Sequence, residues 1–168
     1  MSEKKKMTKD VVPEDFTMGL ALMDALPVLF FGIGSLFMGR IAESGIVLAG
    51  GFVCFATGML KVVWKIIVVL QKKNIWPLFV QMRICMPIGF VLMIIGCFLG
   101  DAGKLGSALL NPVSLVFLVL FVVGMFLMIR FAMKLDASNV RDNWIEQWLN
   151  ALAQGAFMVA MVAASYHI

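Results

Sequence analysis

Histidine is nearly absent from this chain. Its one copy, His167, stands next to the last position, so a haem or a histidine-built metal site has almost no material to form. Cysteine is scarce and odd in number. Cys54, Cys85 and Cys97 all lie inside apolar stretches with no close pair, which excludes a disulfide framework and leaves packing thiols. No glycosylation sequon, phosphate-cradling glycine loop or metal-ligand cluster occurs, and no cofactor is expected. Charged residues make up only 14%, too few to surface a soluble fold of this length. The basic ones are scattered rather than gathered into a stripe, which argues against a nucleic-acid partner. No internal repeat is visible, so an inverted-repeat carrier within one chain is not supported.

What is present is apolar and arrives in blocks. Hydrophobic residues reach 62% and the mean hydropathy is +0.98. Blocks of roughly 20 residues match a ~30 Å hydrocarbon core crossed at ~1.5 Å per residue. A transmembrane barrel would show alternating ten-residue patterns instead. The sequence predicts an all-α, polytopic integral membrane protein, a single bundle over 16–168 of five transmembrane helices at about 17–39, 45–70, 75–100, 112–135 and 144–164. A solvated tail, 1–15, precedes it, with Lys4, Lys5, Lys6 and Lys9 near anionic headgroups. The first block is too long for a signal-peptide core and no small-residue cleavage site follows it, so it reads as a retained helix. Asn111 then Pro112 form a cap and a first-turn proline. Asn143 and Glu146 have the spacing of a capping box. Residues 101–110 read as a polar loop.

Orientation follows from charge. With the N-terminus inside, the cytoplasmic side holds Lys4, Lys5, Lys6, Lys9, Lys72, Lys73, Arg130, Lys134 and Arg141, and the outer side only Arg40 and Lys104. Nine against two is a positive-inside bias, which puts the C-terminus outside. Trp64, Trp76, Trp144 and Trp148 fall on the cytoplasmic side, as an interfacial belt would. The expected location is a cell membrane, most simply the bacterial cytoplasmic membrane. Small residues at Gly50, Cys54 and Gly58, at Gly96 and Gly100, and at Ala151 and Gly155 read as close-packing stripes.

A charge in hydrocarbon costs ~2.5–3.5 kcal/mol on insertion scales, so each one needs a reason. Asp24 lies about 12 Å into the first block at ~1.5 Å per residue. Lys61 and Lys65 share a face of the second helix, and the returning hairpin brings Gln81 and Arg83 to a similar depth. Glu146, Asn150 and Gln154 form an i, i+4, i+8 stripe on the last helix. All fall in the cytoplasmic half. Counting Asp24 and Glu146 against Lys61, Lys65, Arg83 and Arg130 leaves a surplus of two positive charges, which an anion would relieve. Pro27 and Pro87 each free a helical carbonyl at this level and are candidate hinges.

Each feature also has a plainer reading. Lys61 and Lys65 reach the interface by snorkelling, Asp24 serves to neutralise a base, Glu146 caps a helix, and Arg130 and Lys134 set topology. Three functions are therefore weighed. The first is a cytoplasm-facing cavity that binds, and carries, a small anionic or amphipathic solute or lipid, with Arg83 as its leading residue and a homo-oligomer or partner subunit completing it. The second is a non-catalytic accessory or assembly subunit of a membrane complex. The third is an intramembrane lipid-modifying enzyme using Asp24 and Glu146 as acid and base, for which no catalytic constellation is evident.

Overall fold

A computed structural model describes residues 17–134 and 140–167. The tail 1–15 and the loop after Lys134 lie outside the described residues. The chain is all-helical: α1 (Met18–Ile41), α2 (Gly45–Gln71), α3 (Trp76–Leu99), α4 (Ala102–Leu109), α5 (Pro112–Lys134) and α6 (Val140–Ser165). Five of these, all but α4, are long and apolar enough to cross a membrane.

The ends are set by local chemistry. The Thr17 hydroxyl accepts from Leu20 N–H at 3.2 Å and starts α1. Ser44 does the same for α2 through Val47 N–H at 3.4 Å. Lys72 ends α2 in the left-handed conformation, φ 51°. Asn111 caps α5 as its sequence predicts, its amide oxygen accepting from Val113 N–H at 2.8 Å. Two expectations fail. Residues 101–110 are not a plain loop: Asp101 accepts from Lys104 N–H at 2.7 Å and starts the eight-residue α4, which buries Leu105 and Ala108. The capping box at Asn143 and Glu146 does not exist, because α6 is already helical from Val140.

Packing fixes the helix order as α3–α2–α1–α6–α5. Helices α1 and α2 are antiparallel, with Gly58 against Val28 and Gly39 against Leu48. The α1–α6 pair is parallel, since Gly19 meets Trp144 and Gly34 meets Phe157. Helices α3 and α5 form the edges, each held by one long neighbour and exposing most of its apolar side chains. A row of phenylalanines ties four helices at mid-height. Phe90 of α3, Phe31 of α1, Phe157 of α6 and Phe121 of α5 follow one another at ring-centre distances of 5.6, 5.6 and 5.1 Å. The predicted stripe Gly50, Cys54 and Gly58 divides: Gly50 and Cys54 face α3, and Gly58 faces α1.

Candidate functional site

Below the phenylalanine row, towards the Thr17 end, three central helices bring buried polar groups together. Asp24 of α1 is 3% exposed, and its Oδ2 lies 2.8 Å from Lys65 Nζ of α2, itself 5% exposed. That oxygen is held by charge and not by an aligned hydrogen bond. Lys61, one turn away on α2, stands 3.7 Å from the same oxygen and is 25% exposed. Opposed helix directions bring these groups together. Helical side chains lean towards the N-terminus of their helix, so Asp24 on α1 and Lys65 on antiparallel α2 lean towards each other. Lys65 therefore does not snorkel. It is spent on Asp24.

Helix α6 adds the third wall. Gln147, 3% exposed, lies next to the Asp24 carboxylate, and its own Oε1 is unpartnered. Glu146 sits within electrostatic range of Lys65 and makes no ion pair of its own among the described residues. Two turns further along, Gln154 is buried with Nε2 donating weakly to Met125 Sδ of α5 at 3.5 Å and Oε1 unpartnered. Asn150 is half-buried. An unpartnered buried acceptor is costly unless water reaches it, so the Gln147 position is one that a bound water or ligand donor would satisfy.

The remaining predicted residues go elsewhere. Gln81 of α3 donates to the Thr57 carbonyl of α2 at 3.1 Å and acts as an interhelical tie. Arg83, the leading residue of the sequence argument, is not in the cluster. It is exposed on edge helix α3, its guanidinium 5.2 Å from the Phe79 ring centre. Arg130 repeats the arrangement on the other edge, exposed over Phe126 at 5.3 Å. Without these two arginines the central balance is Asp24 and Glu146 against Lys61 and Lys65, and the surplus of two disappears. Pro27 is buried one turn above Asp24, and Pro87 lies exposed within α3. Trp64 is fully buried, bonding Asn74 Oδ1 at 3.1 Å and packing on Phe79, so it belongs to the α2–α3 contact and not to a surface belt.

Sequence reasoning missed Gln147. Its signal was the stripe Gln147, Ala151, Gln154 at i, i+4, i+7, in which alanine lets the neighbouring helices close in. The i+4 series Glu146, Asn150 and Gln154 shares Gln154 with that stripe but sets Glu146 and Asn150 at its half-buried edge. Among the described residues no group of three or more His, Cys, Asp or Glu side chains could hold a metal ion. Comparison of the chain with protein-family models, curated proteins and solved structures finds no match.

Proposed function

We propose that this is a multi-pass membrane protein, N-terminus in the cytoplasm and C-terminus outside, that binds a small anionic or amphipathic solute from the cytoplasmic side at the Asp24–Lys61–Lys65–Gln147 cluster. The observation that carries the reading is the inequality of the two lysines. Lys65 alone suffices for Asp24 at 2.8 Å, while Lys61 makes a looser 3.7 Å contact and is the one charged member of the ion-paired cluster open at the surface. A ligand anion can take Lys61 without breaking the Asp24–Lys65 pair. Because Glu146 brings the local total to zero, the site suits a monoanion or zwitterion with an apolar portion better than a multiply charged ion. Ionisable groups inside a membrane bundle are costly and mark solute or proton paths by default. The phenylalanine row fills the bundle between the cluster and the outer half, which supports access from one side. The nine-to-two bias in Lys and Arg supports the orientation.

Ligand-dependent thermal stability of the purified protein in detergent tests this at fixed ionic strength. A panel of anionic, zwitterionic and cationic amphiphiles is expected to give stabilisation by one of the first two classes. That affinity should fall about tenfold in Lys61→Met, the loss of one charge-assisted contact, and stay unchanged in Arg83→Leu. A flat response across all three classes discards the solute reading.

The second reading, a non-catalytic accessory or assembly subunit, draws on a different observation. Arg83 and Arg130 stand exposed on the two edge helices, where acidic groups of another membrane protein would neutralise them. Purification in mild detergent should then recover a stoichiometric partner that Arg83→Leu loses.

A further inference from the structure

The outer half of the bundle carries a second feature, independent of the polar cluster. On the α1–α2 face a groove of about 290 Å³ opens sideways, walled by Leu29, Ile33 and Leu36 of α1 and Leu48 and Phe52 of α2. Its floor is low because Gly32, Ser35 and Gly51 stand there, and the Ser35 hydroxyl is already used on the Gly32 carbonyl at 2.9 Å. The groove therefore offers no polar contact along its length. A charged group stands just beyond it on the same helix face. Leu29, Ile33, Leu36 and Arg40 follow i, i+4, i+7, i+11 and lie on one face of α1, so the apolar wall runs directly into an exposed arginine.

Arg40 is unusual in two ways. Only two cations, Arg40 and Lys104, oppose the positive-inside pattern. Lys104 is accounted for, with Nζ 2.6 Å from Glu43 Oε1. Among the described residues Arg40 has no acidic partner, although Glu43 is only three positions on. An apolar groove whose α1 wall leads on to an exposed guanidinium with no acidic partner among the described residues has the charge pattern of an anionic amphiphile.

We infer that one anionic phospholipid occupies this groove, its acyl chain against Leu29, Ile33, Leu36 and Phe52 and its phosphate on Arg40. The inference rests on the membrane reading and not on any ligand of the Lys61 cluster. Arginine presents a planar fork that engages phosphate oxygens in pairs, and the helix end places it at headgroup level.

The test is native mass spectrometry of protein released from vesicles of equal phosphatidylcholine and phosphatidylglycerol. Wild type should retain phosphatidylglycerol in preference to phosphatidylcholine. Arg40→Gln should reduce that preference roughly tenfold, and Arg40→Lys should keep part of it. Lys104→Gln should leave it intact. Arg40 is exposed at a helix end, so an unchanged melting temperature in pure phosphatidylcholine confirms that the variant folds. Inorganic phosphate should not displace the lipid, because it lacks the chain. Equal retention of both lipids by wild type, full preference in Arg40→Gln, or displacement by phosphate alone would each overturn the assignment. So would a dimer cross-linked through Ile33→Cys, which would show a second copy in the groove. Failure of the solute screen with this preference intact separates the two proposals.

Discussion

Asp24 lies two turns into α1 with two bases within reach, and the structure ranks them by distance and exposure. A buried carboxylate needs a close partner because its hydration has been removed, and the partner that supplies most is the one equally dry. Lys65→Met should therefore leave Asp24 inadequately compensated and destabilise by about 3–5 kcal/mol. Lys61→Met, with its looser and partly exposed contact, should cost under about 1 kcal/mol. Adding Asp24→Asn to Lys65→Met should recover most of the loss, since it removes the charge that was stranded. Thermal unfolding in one detergent measures all three. Equal losses for the two lysine variants would contradict the ranking, and with it the premise that Lys61 is available to a ligand. The sequence made Asp24, Lys61 and Lys65 conspicuous because charge in an apolar block is rare. It could not show which side of α3 Arg83 faces. The span there is apolar on every side, so hydropathy carries no information about rotation, and only the Gly89, Met93 and Gly96 contact with α2 reveals it.

Between elements, glycine sets the spacing. A Cβ on Gly50 would stand 2.6 Å from the Gly89 carbonyl oxygen and 2.8 Å from Met93 N, both backbone atoms of α3 that cannot rotate away. On Gly96 it would meet Val47 N of α2 at 2.6 Å. Helix α3 packs its backbone closely on no other long helix, its contact with α1 being the Phe90–Phe31 ring pair, so its attachment depends mainly on this close approach. Gly50→Leu should consequently exceed the ~1–3 kcal/mol of an ordinary overpacked core and release α3 to proteolysis. Gly155→Ala is the control. Its Cβ would meet only the Phe30 ring at 3.4 Å, so it should be neutral or gain up to about 1 kcal/mol of helix propensity. Limited proteolysis and melting temperature distinguish the two outcomes. Similar effects from both substitutions would mean that α3 is not held by backbone proximity. Small-residue spacing made these contacts legible as close packing, but not their partners. Gly50 and Gly51 are adjacent in sequence and face different helices, since one residue turns a helix by about 100°. The short α4 was hidden for a different reason. Its glycines and lysine resemble a loop, and its helicity depends on the Asp101 cap and on docking of Leu105 and Ala108.

At the scale of the whole molecule, the number of long apolar helices and the approximate ends of the first three could be read from block length. The neighbour order could not, because lipid-facing and buried residues are equally apolar in such helices and no periodicity separates them. Parallel packing of α1 on α6 is the organising contact. It brings Asp24 beside Gln147, and it requires the N-terminal end of α1 and that of α6 to lie on the same side. On the proposed membrane reading, an odd number of crossings would put the end of α6 opposite to the start of α1, with the inner side proposed from the lysine and arginine bias. This makes a direct prediction. In protein with Cys54, Cys85 and Cys97 replaced by alanine, single substitutions Lys73→Cys, Asp101→Cys and His167→Cys place one thiol on each loop or end. A membrane-impermeant maleimide applied to intact cells should label the variants at 101 and 167 and spare the one at 73 until the cells are opened. The reverse pattern would turn the protein over, putting the Lys61 opening outside and the Arg40 groove in the inner leaflet. Labelling of 101 without 167 would remove the fifth crossing, and the parallel α1–α6 contact that builds the polar cluster would fall with it.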